Sequence, residues 1–161
     1  MKKSEGISLI GEYTFTIRDA KTGVIKRVYR QKNLIPLVAR VMIANNLGSV
    51  TPNNDMAINY SSLGTGTTAP SSSDTKLVTE THRKQIASLT NLSNSVFASA
   101  FYQATEVTGT FYEAGLFCDG TALTDSGILF SRVLLNSPTG ITKSETETLT
   151  IDYEVQINYS S

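Results

Sequence analysis

Residues 149–159 have the sequence LTIDYEVQINY, in which every second side chain is apolar. Side chains that alternate in this way lie on opposite faces of an extended strand, whereas a helix needs apolar residues three or four positions apart. The alternation therefore predicts a long β-strand with one buried face, which we place at 145–159. Its buried face is predicted to consist of Leu149, Ile151, Tyr153, Val155, Ile157 and Tyr159.

Similar alternation recurs through the rest of the chain, in segments separated by Gly, Pro and Asn turns. About eight strands without an internal repeat are typical of an antiparallel β-sandwich with a jelly-roll-like arrangement. The other strands are predicted at 10–18, 24–30, 56–63, 82–90, 95–107, 109–117 and 127–135.

One segment lacks this alternation, and its apolar spacing predicts a helix at 35–47. Apolar residues recur there at helical spacing, and Pro36 suits a first helical turn, where its missing N–H costs nothing. Asn33 is predicted as the N-terminal cap, and a polar loop is expected at 49–55. A further single helical turn, capped by Asp74, is predicted at 74–80.

The length of 161 residues suits one globular domain with one core. We expect residues 1–161 to form a single, mainly β domain with one α-helix. Its parts are an N-terminal β-hairpin at 10–31, the helix at 35–47 and a β-sandwich body at 56–159.

The composition offers little for catalysis or for metal binding. Cys118 is the only cysteine and His82 the only histidine, which leaves few ways to build a metal site or a thiol nucleophile with its base. The Gly64-Thr-Gly66 segment lacks the lysine of a phosphate-binding loop, and its glycines are expected to relieve backbone strain between two strands. We predict no enzyme activity, no catalytic residues, no cofactor and no metal.

Charge and hydropathy also limit the classes of partner that the protein is expected to bind. Acidic and basic side chains number 14 each, and a chain without net charge is not typical of a nucleic-acid-binding protein. No segment has the roughly 18 consecutive apolar residues of a membrane span. The first residues lack the apolar core of a secretory signal, so we expect synthesis in a reducing cytoplasm and no membrane or nucleic-acid partner.

Four charged residues stand beside apolar positions in otherwise uncharged segments. Because a buried charge is costly unless it is paired, they are candidate internal ion pairs that fix the 74–83 segment on the sheets. The alternative is that they are independent surface charges. The four are Glu80, Arg83, Glu113 and Arg132.

Charge is distributed unevenly along the chain. Residues 1–50 carry nine basic and three acidic side chains, a net charge of +6, which leaves −6 for residues 51–161. One interpretation is that both halves mix on one surface. The other is that the hairpin projects from the sandwich and docks on another subunit or protein. The candidate contacts are Tyr13, Lys26, Arg27, Tyr29 and Arg30.

Three stretches together resemble a known class of proteins. The first is YSSLGTGTTAP at 60–70, followed by DTKL at 74–77. The second is EAGLF at 113–117, and the third is GILFSR at 127–132 with ITK at 141–143 and the closing strand. In this order and spacing they resemble structural proteins of tailed bacteriophage virions, over residues 10–158.

The resemblance implies a β-sandwich that assembles in multiple copies on the capsid or tail. It implies that the protein forms a homo-oligomer and has other virion proteins as partners. It implies location in the virion after synthesis in the cytoplasm of the host bacterium, with no cofactor and no enzyme activity. The alternative is a carbohydrate- or receptor-binding β-sandwich module of a tail fibre or baseplate. A module of that kind is expected to have exposed aromatic platforms, yet the chain has no Trp.

Overall fold

The computed structural model describes residues 6–48 and 54–160, and it is mainly β, with 54% strand and 8% helix. These residues form eleven strands and one helix. The elements are β1 (Gly6–Asp19), β2 (Ile25–Lys32), α1 (Leu37–Gly48), β3 (Ile58–Gly64), β4 (Glu80–Gln85), β5 (Ser88–Leu92), β6 (Ser95–Tyr102), β7 (Gly109–Phe111), β8 (Glu113–Cys118), β9 (Ile128–Leu134), β10 (Ile141–Lys143) and β11 (Glu147–Ser160).

The strands form antiparallel sheets whose apolar faces meet. The large sheet has the order β2-β1-β11-β6-β5, the second sheet has the order β4-β3-β8-β9, and β10 pairs with β7 in a short ribbon. The hydroxyl of Tyr13 in the large sheet lies 2.8 Å from Oγ of Ser131 in the second sheet, and Tyr102 donates to the carbonyl of Ser61 at 3.1 Å. The predicted antiparallel β-sandwich with one helix is confirmed.

The alternation that predicted the strands also predicts most of the core. Tyr13, Phe15 and Ile17 of β1 are buried, and so are the inward-facing residues of β11 from Leu149 to Val155. The remaining two predicted core positions, Ile157 and Tyr159, are 46% and 66% exposed, so the core does not extend to the end of β11.

The N-terminal hairpin forms, but it does not project from the sandwich. Strand β1 pairs with β11 along its whole length, from Gly6 opposite Ser160 to Asp19 opposite Glu147. A free ribbon would leave the apolar face of β1 in water, because two strands alone cannot cover it. The prediction that the hairpin projects from the sandwich as a separate ribbon is therefore wrong, and the hairpin is part of the large sheet.

Two predicted strands are divided where the chain changes partners. The segment predicted as one strand at 82–90 forms β4 in the second sheet and β5 in the large sheet. Between them the N–H of Ile86 donates to Asn59 and the N–H of Ala87 donates to Ser99, so the chain crosses from one sheet to the other here. The segment at 109–117 divides at Tyr112 into β7 and β8. Strand β10 was not predicted.

The helix begins at Leu37, two residues later than predicted, and Asn33 does not cap it. The Asn33 side chain instead donates to Oγ of Ser131 at 2.7 Å. No helical turn forms at 74–80, because the Asp74 carboxylate pairs with Arg132 and accepts from the N–H of Ser71. Most of the loop predicted at 49–55 lies outside the described residues.

Candidate functional site

Three charged side chains meet where the long loop after β3 packs on β8 and β9 of the second sheet, and we call Asp74, Glu113 and Arg132 the ion-pair cluster. Glu113 begins β8, and Arg132 lies on the neighbouring strand β9; both are buried, with at most 1% of the residue exposed. Nε and Nη2 of Arg132 lie 3.0 and 2.9 Å from Oε2 of Glu113. Nη1 lies 2.6 Å from Oδ2 of Asp74, which comes from the long loop between β3 and β4.

The ion-pair cluster also holds the backbone of that loop. Oε1 of Glu113 accepts hydrogen bonds from the N–H groups of Gly66 and Thr79 at 3.1 and 2.7 Å, and Oε2 accepts from Val78 at 3.0 Å. Arg132 Nη2 donates to the carbonyl of Thr68 at 2.8 Å. The two buried side chains thus fasten both ends of the 64–80 loop to the second sheet.

The glycines of the loop are explained by this close approach. A Cβ atom at Gly66 would lie 2.4 Å from Oε1 of Glu113, and one at Gly64 would lie 2.7 Å from the same atom. Neither glycine has a positive φ angle. The expectation that they relieve backbone strain is therefore wrong; both make space for the carboxylate, and Gly64 also makes space for the carbonyl oxygen of Thr79, which would lie 2.5 Å from its Cβ.

A second buried pair joins Glu80 and Arg83 on β4. Arg83 Nε lies 2.6 Å from Oε1 of Glu80, Nη2 lies 2.9 Å from Oε2, and the two side chains are 4% and 1% exposed. The guanidinium lies 4.2 Å from the ring centroid of Phe117 and donates to the carbonyl of Ser126 at 2.8 Å. The four charged residues identified in the sequence therefore form two buried pairs and are not independent surface charges.

The predicted assembly contacts of the hairpin are largely occupied within the chain. Tyr13 is completely buried, and burial raises the pKa of its hydroxyl, so the prediction that it contacts a partner is wrong. Tyr29 is half-buried against the core.

The basic residues of β2 differ from one another. Arg27 Nη2 lies 2.8 Å from Oε2 of Glu147, and Lys26 Nζ lies 3.2 Å from Asp19 and 3.6 Å from Glu147. Both are thus neutralised within the large sheet. Arg30 is exposed on the same strand and stays a candidate contact.

The only cysteine and the only histidine lie apart. Along β3, His82 is paired with Leu63 and Cys118 with Ile58, so five residues, or about 16 Å, separate the two positions. The Cys118 thiol donates to the carbonyl of Met56 at 3.2 Å, and burial raises its pKa to about 12. A thiol with this pKa is protonated at neutral pH and is a poor nucleophile.

Among residues 6–48 and 54–160, no three His, Cys, Asp or Glu side chains form a group that could hold a metal ion. Within the same part of the chain, no helix is long and apolar enough to cross a membrane.

Lys143 is a buried charge that the sequence reasoning missed. Its Nζ donates to the carbonyls of Ala104, Val107 and Ser144 at 2.8, 2.7 and 3.2 Å, and burial lowers the pKa of the amine. It thereby fixes the turn after β6 to the β10 strand. No feature of the sequence separates this lysine from a surface lysine, apart from its place in the ITK stretch.

An apolar groove lies between helix α1 and one end of the large sheet, with a volume of about 1250 Å³. Its sheet wall comes from the start of β1, the end of β11 and the edge strand β5, and the helix and Met56 contribute the other wall. Several of its apolar side chains are exposed, with Ile7 and Leu47 at 80% and 83%. We call this feature the apolar groove.

The outer face of the large sheet has a smaller depression of about 270 Å³. Glu12, Asp152 and Glu154 line it together with Phe97, whose side chain is partly exposed. Asp152 accepts from the hydroxyl of Ser99 at 2.7 Å. Carboxylates beside an open aromatic ring suit a polar, uncharged ligand better than an anion.

Comparisons with known proteins give no assignment: no family model matches the chain, and searches of curated proteins and of solved structures found no match. The EAGLF and GILFSR stretches lie on the paired strands β8 and β9, and the ion-pair cluster joins them to the LGTGTTAP stretch, which is more than 40 residues earlier in the sequence.

Proposed function

We propose that this protein is a non-enzymatic structural component of a tailed bacteriophage virion, present in multiple copies on the capsid or the tail. The observation that carries the proposal is the convergence of the three stretches that resemble virion proteins. Gly66 comes from the first stretch, Glu113 from the second and Arg132 from the third, and they are joined by direct hydrogen bonds.

The physical character of the fold also favours this role. Two sheets share one core, and the longest described loop is held by buried charges, which favours a single rigid shape. Among the described residues, the usual nucleophile and base lie about 16 Å apart. A component of a particle works through its shape, its strand edges and its complementary surfaces, and it needs no reaction centre.

The proposal is tested on virions of the phage that encodes this sequence. We expect the protein to remain with particles through density-gradient purification, at a copy number above one by quantitative mass spectrometry. Cys118→Ser and His82→Ala variants should be incorporated at the wild-type copy number, because neither side chain has a catalytic partner. Absence of the protein from purified particles would overturn the proposal.

The alternative function, a carbohydrate- or receptor-binding module, is favoured by one observation, the depression on the outer face. Asp152 and Glu154 offer acceptors for sugar hydroxyl groups, and Phe97 offers an aromatic face. A glycan array would detect such binding. A Phe97→Ala variant that loses a glycan signal, while a Phe101→Ala variant keeps it, would favour this alternative, because Phe101 is similarly exposed but lies outside the depression.

A further inference from the structure

The two edges of the large sheet are protected to different degrees. Strand β2 carries Lys26, Arg27, Arg30 and Lys32, and charged side chains on an edge hinder pairing with another strand. The opposite edge strand β5 has the sequence SLTNL, without a charge or a proline, and all five residues are exposed. An edge of this kind is open to an added strand.

The open edge is continuous with the apolar groove. Leu89 pairs with Ala98, whose side chain is buried in the core, so Leu89 and Asn91 face the inside of the sandwich and both line the groove. Ser88, Thr90 and Leu92 face the outside. Leu89 is 41% exposed and Leu92 is 73% exposed, so a strand added here would cover apolar side chains on both faces.

We propose that β5 pairs with β5 of a second copy, antiparallel and about a twofold axis, so that the two large sheets become one sheet of ten strands. Residues opposite each other in an antiparallel pair point to the same face. With Thr90 on the axis, Thr90 of one copy lies opposite Thr90 of the other, Ser88 lies opposite Leu92, and Leu89 lies opposite Asn91. This register uses all five residues of β5, about 17 Å of strand edge.

The absence of charge at this edge suits a second copy as the occupant. The chain has no net charge, and β5 has none, so the symmetric contact opposes no like charges. Arg40 is the one charged side chain among the described residues that line the groove. A twofold contact between identical surfaces is also the commonest arrangement in homo-oligomers.

This inference deepens the proposed function and rests on its assembly in multiple copies. It is tested on the full chain by sedimentation velocity, with Thr90→Lys and Thr90→Glu variants. Thr90 is exposed, and the twofold axis would place two identical charges directly opposite each other in either variant. We expect each variant to dimerise at least about 10-fold more weakly than the wild type, and an equimolar mixture of the two to recover the wild-type affinity within about 3-fold.

Thr124→Lys and Thr124→Glu are matched controls, because Thr124 is also exposed and lies in a loop distant from β5 in sequence. They change the net charge equally and should dimerise as the wild type does. Circular dichroism of every variant checks that the fold is retained.

Three results would overturn the inference: a wild-type protein that stays monomeric at roughly 100 µM, Thr90 variants that behave like the Thr124 variants, or a mixture that does not recover. The outcome for the proposed function is separate. A protein that is found in virions but does not pair through β5 contradicts only the inference, and a dimer that is absent from virions contradicts only the proposed function.

Discussion

Replacing Glu113 by Gln should strongly destabilise the protein, because glutamine has the right shape but the wrong hydrogen-bonding groups. Both oxygens of the Glu113 carboxylate face N–H donors: Oε1 accepts from Gly66 and Thr79, and Oε2 accepts from Val78 and Arg132. The amide end of glutamine replaces one acceptor by an NH₂ donor. Whichever oxygen is replaced, a donor then faces a donor in a buried site.

The expected loss of stability is large because both Glu113 and Arg132 are buried. Breaking a buried ion pair by removing one partner costs about 3–5 kcal/mol. We expect the lower end, about 3 kcal/mol, for Glu113→Gln, because Asp74 still lies 2.6 Å from the Arg132 guanidinium. Arg132→Met should cost a similar amount, about 3 kcal/mol, because it leaves Glu113 buried as a charge and removes a donor from the carbonyl of Thr68.

The double variant should cost about 2 kcal/mol less than the sum of the two single variants, because each single change leaves a buried charge that the other change removes. It should not return to wild-type stability. The N–H groups of Gly66, Val78 and Thr79 still lose their full carboxylate acceptor.

Urea unfolding at pH 7 measures all three free energies. Asp125→Asn is the control, because Asp125 pairs with Lys76 at 2.8 Å while the two side chains are 36% and 58% exposed. Breaking that exposed pair should cost less than about 1 kcal/mol. Amide hydrogen exchange should show faster exchange at Val78 and Thr79 in Glu113→Gln. Small and additive effects of the Glu113 and Arg132 changes would refute the reasoning.

The remaining predictions test the loop, the core and the hairpin. Gly66→Ala should cost about 2 kcal/mol through the clash with Glu113, whereas Gly48→Ala, with no atom within 4 Å, should stay within about 1 kcal/mol by urea unfolding. Burial raises the pKa of three tyrosine hydroxyls above the unfolded value, that of Tyr153 to about 12; the three are Tyr13, Tyr102 and Tyr153. Their contribution to stability is therefore complete below about pH 10 and is lost above it, by up to about 1.4 kcal/mol per tyrosine and pH unit. Absorbance at alkaline pH should show them ionising together with unfolding, and ionisation of all three in the folded protein would contradict this. Removing residues 1–31 should abolish cooperative thermal unfolding, because it deletes β1 from the interior of the large sheet, and a sharp transition in the truncated chain would contradict that placement.

The parts of the fold that the sequence predicts depend on local properties. The alternation of Tyr13, Phe15 and Ile17 shows which face of β1 is buried, because successive side chains of any strand point to opposite sides. The change of sheet at Ile86, in contrast, does not depend on a local property of the sequence. An extended chain continues through 82–90, and only the choice of neighbouring strand, which is set by distant residues, divides it between two sheets.

The buried charged residues also differ in how far the sequence predicts them. Glu113 and Arg132 are recognisable as a pair because charges among apolar residues need partners. The sequence predicts Asp74 as a helix cap, whereas in the structure it pairs with Arg132. The sequence does not separate the two roles, because a carboxylate suits both a helix N-terminus and an arginine side chain. Lys143 is hidden because its partners are backbone carbonyls, and a carbonyl is available at every residue of the sequence.

Part of the opposite charge of the two halves of the chain is paired within the fold, because two of the nine basic side chains of residues 1–50 reach Glu147. The basic strand β2 lies at one edge of the large sheet, and the acidic start of β11 lies close enough for Arg27 and Lys26 to pair with Glu147. The attraction between a basic N-terminal region and an acidic C-terminal region is therefore already used to hold β2 against the sheet, where it helps to fix the register. A basic excess in the sequence is consequently poor evidence for an external partner. The edge that we propose for assembly is instead the uncharged strand β5, because there neither charge repulsion nor an internal ion pair opposes an added strand.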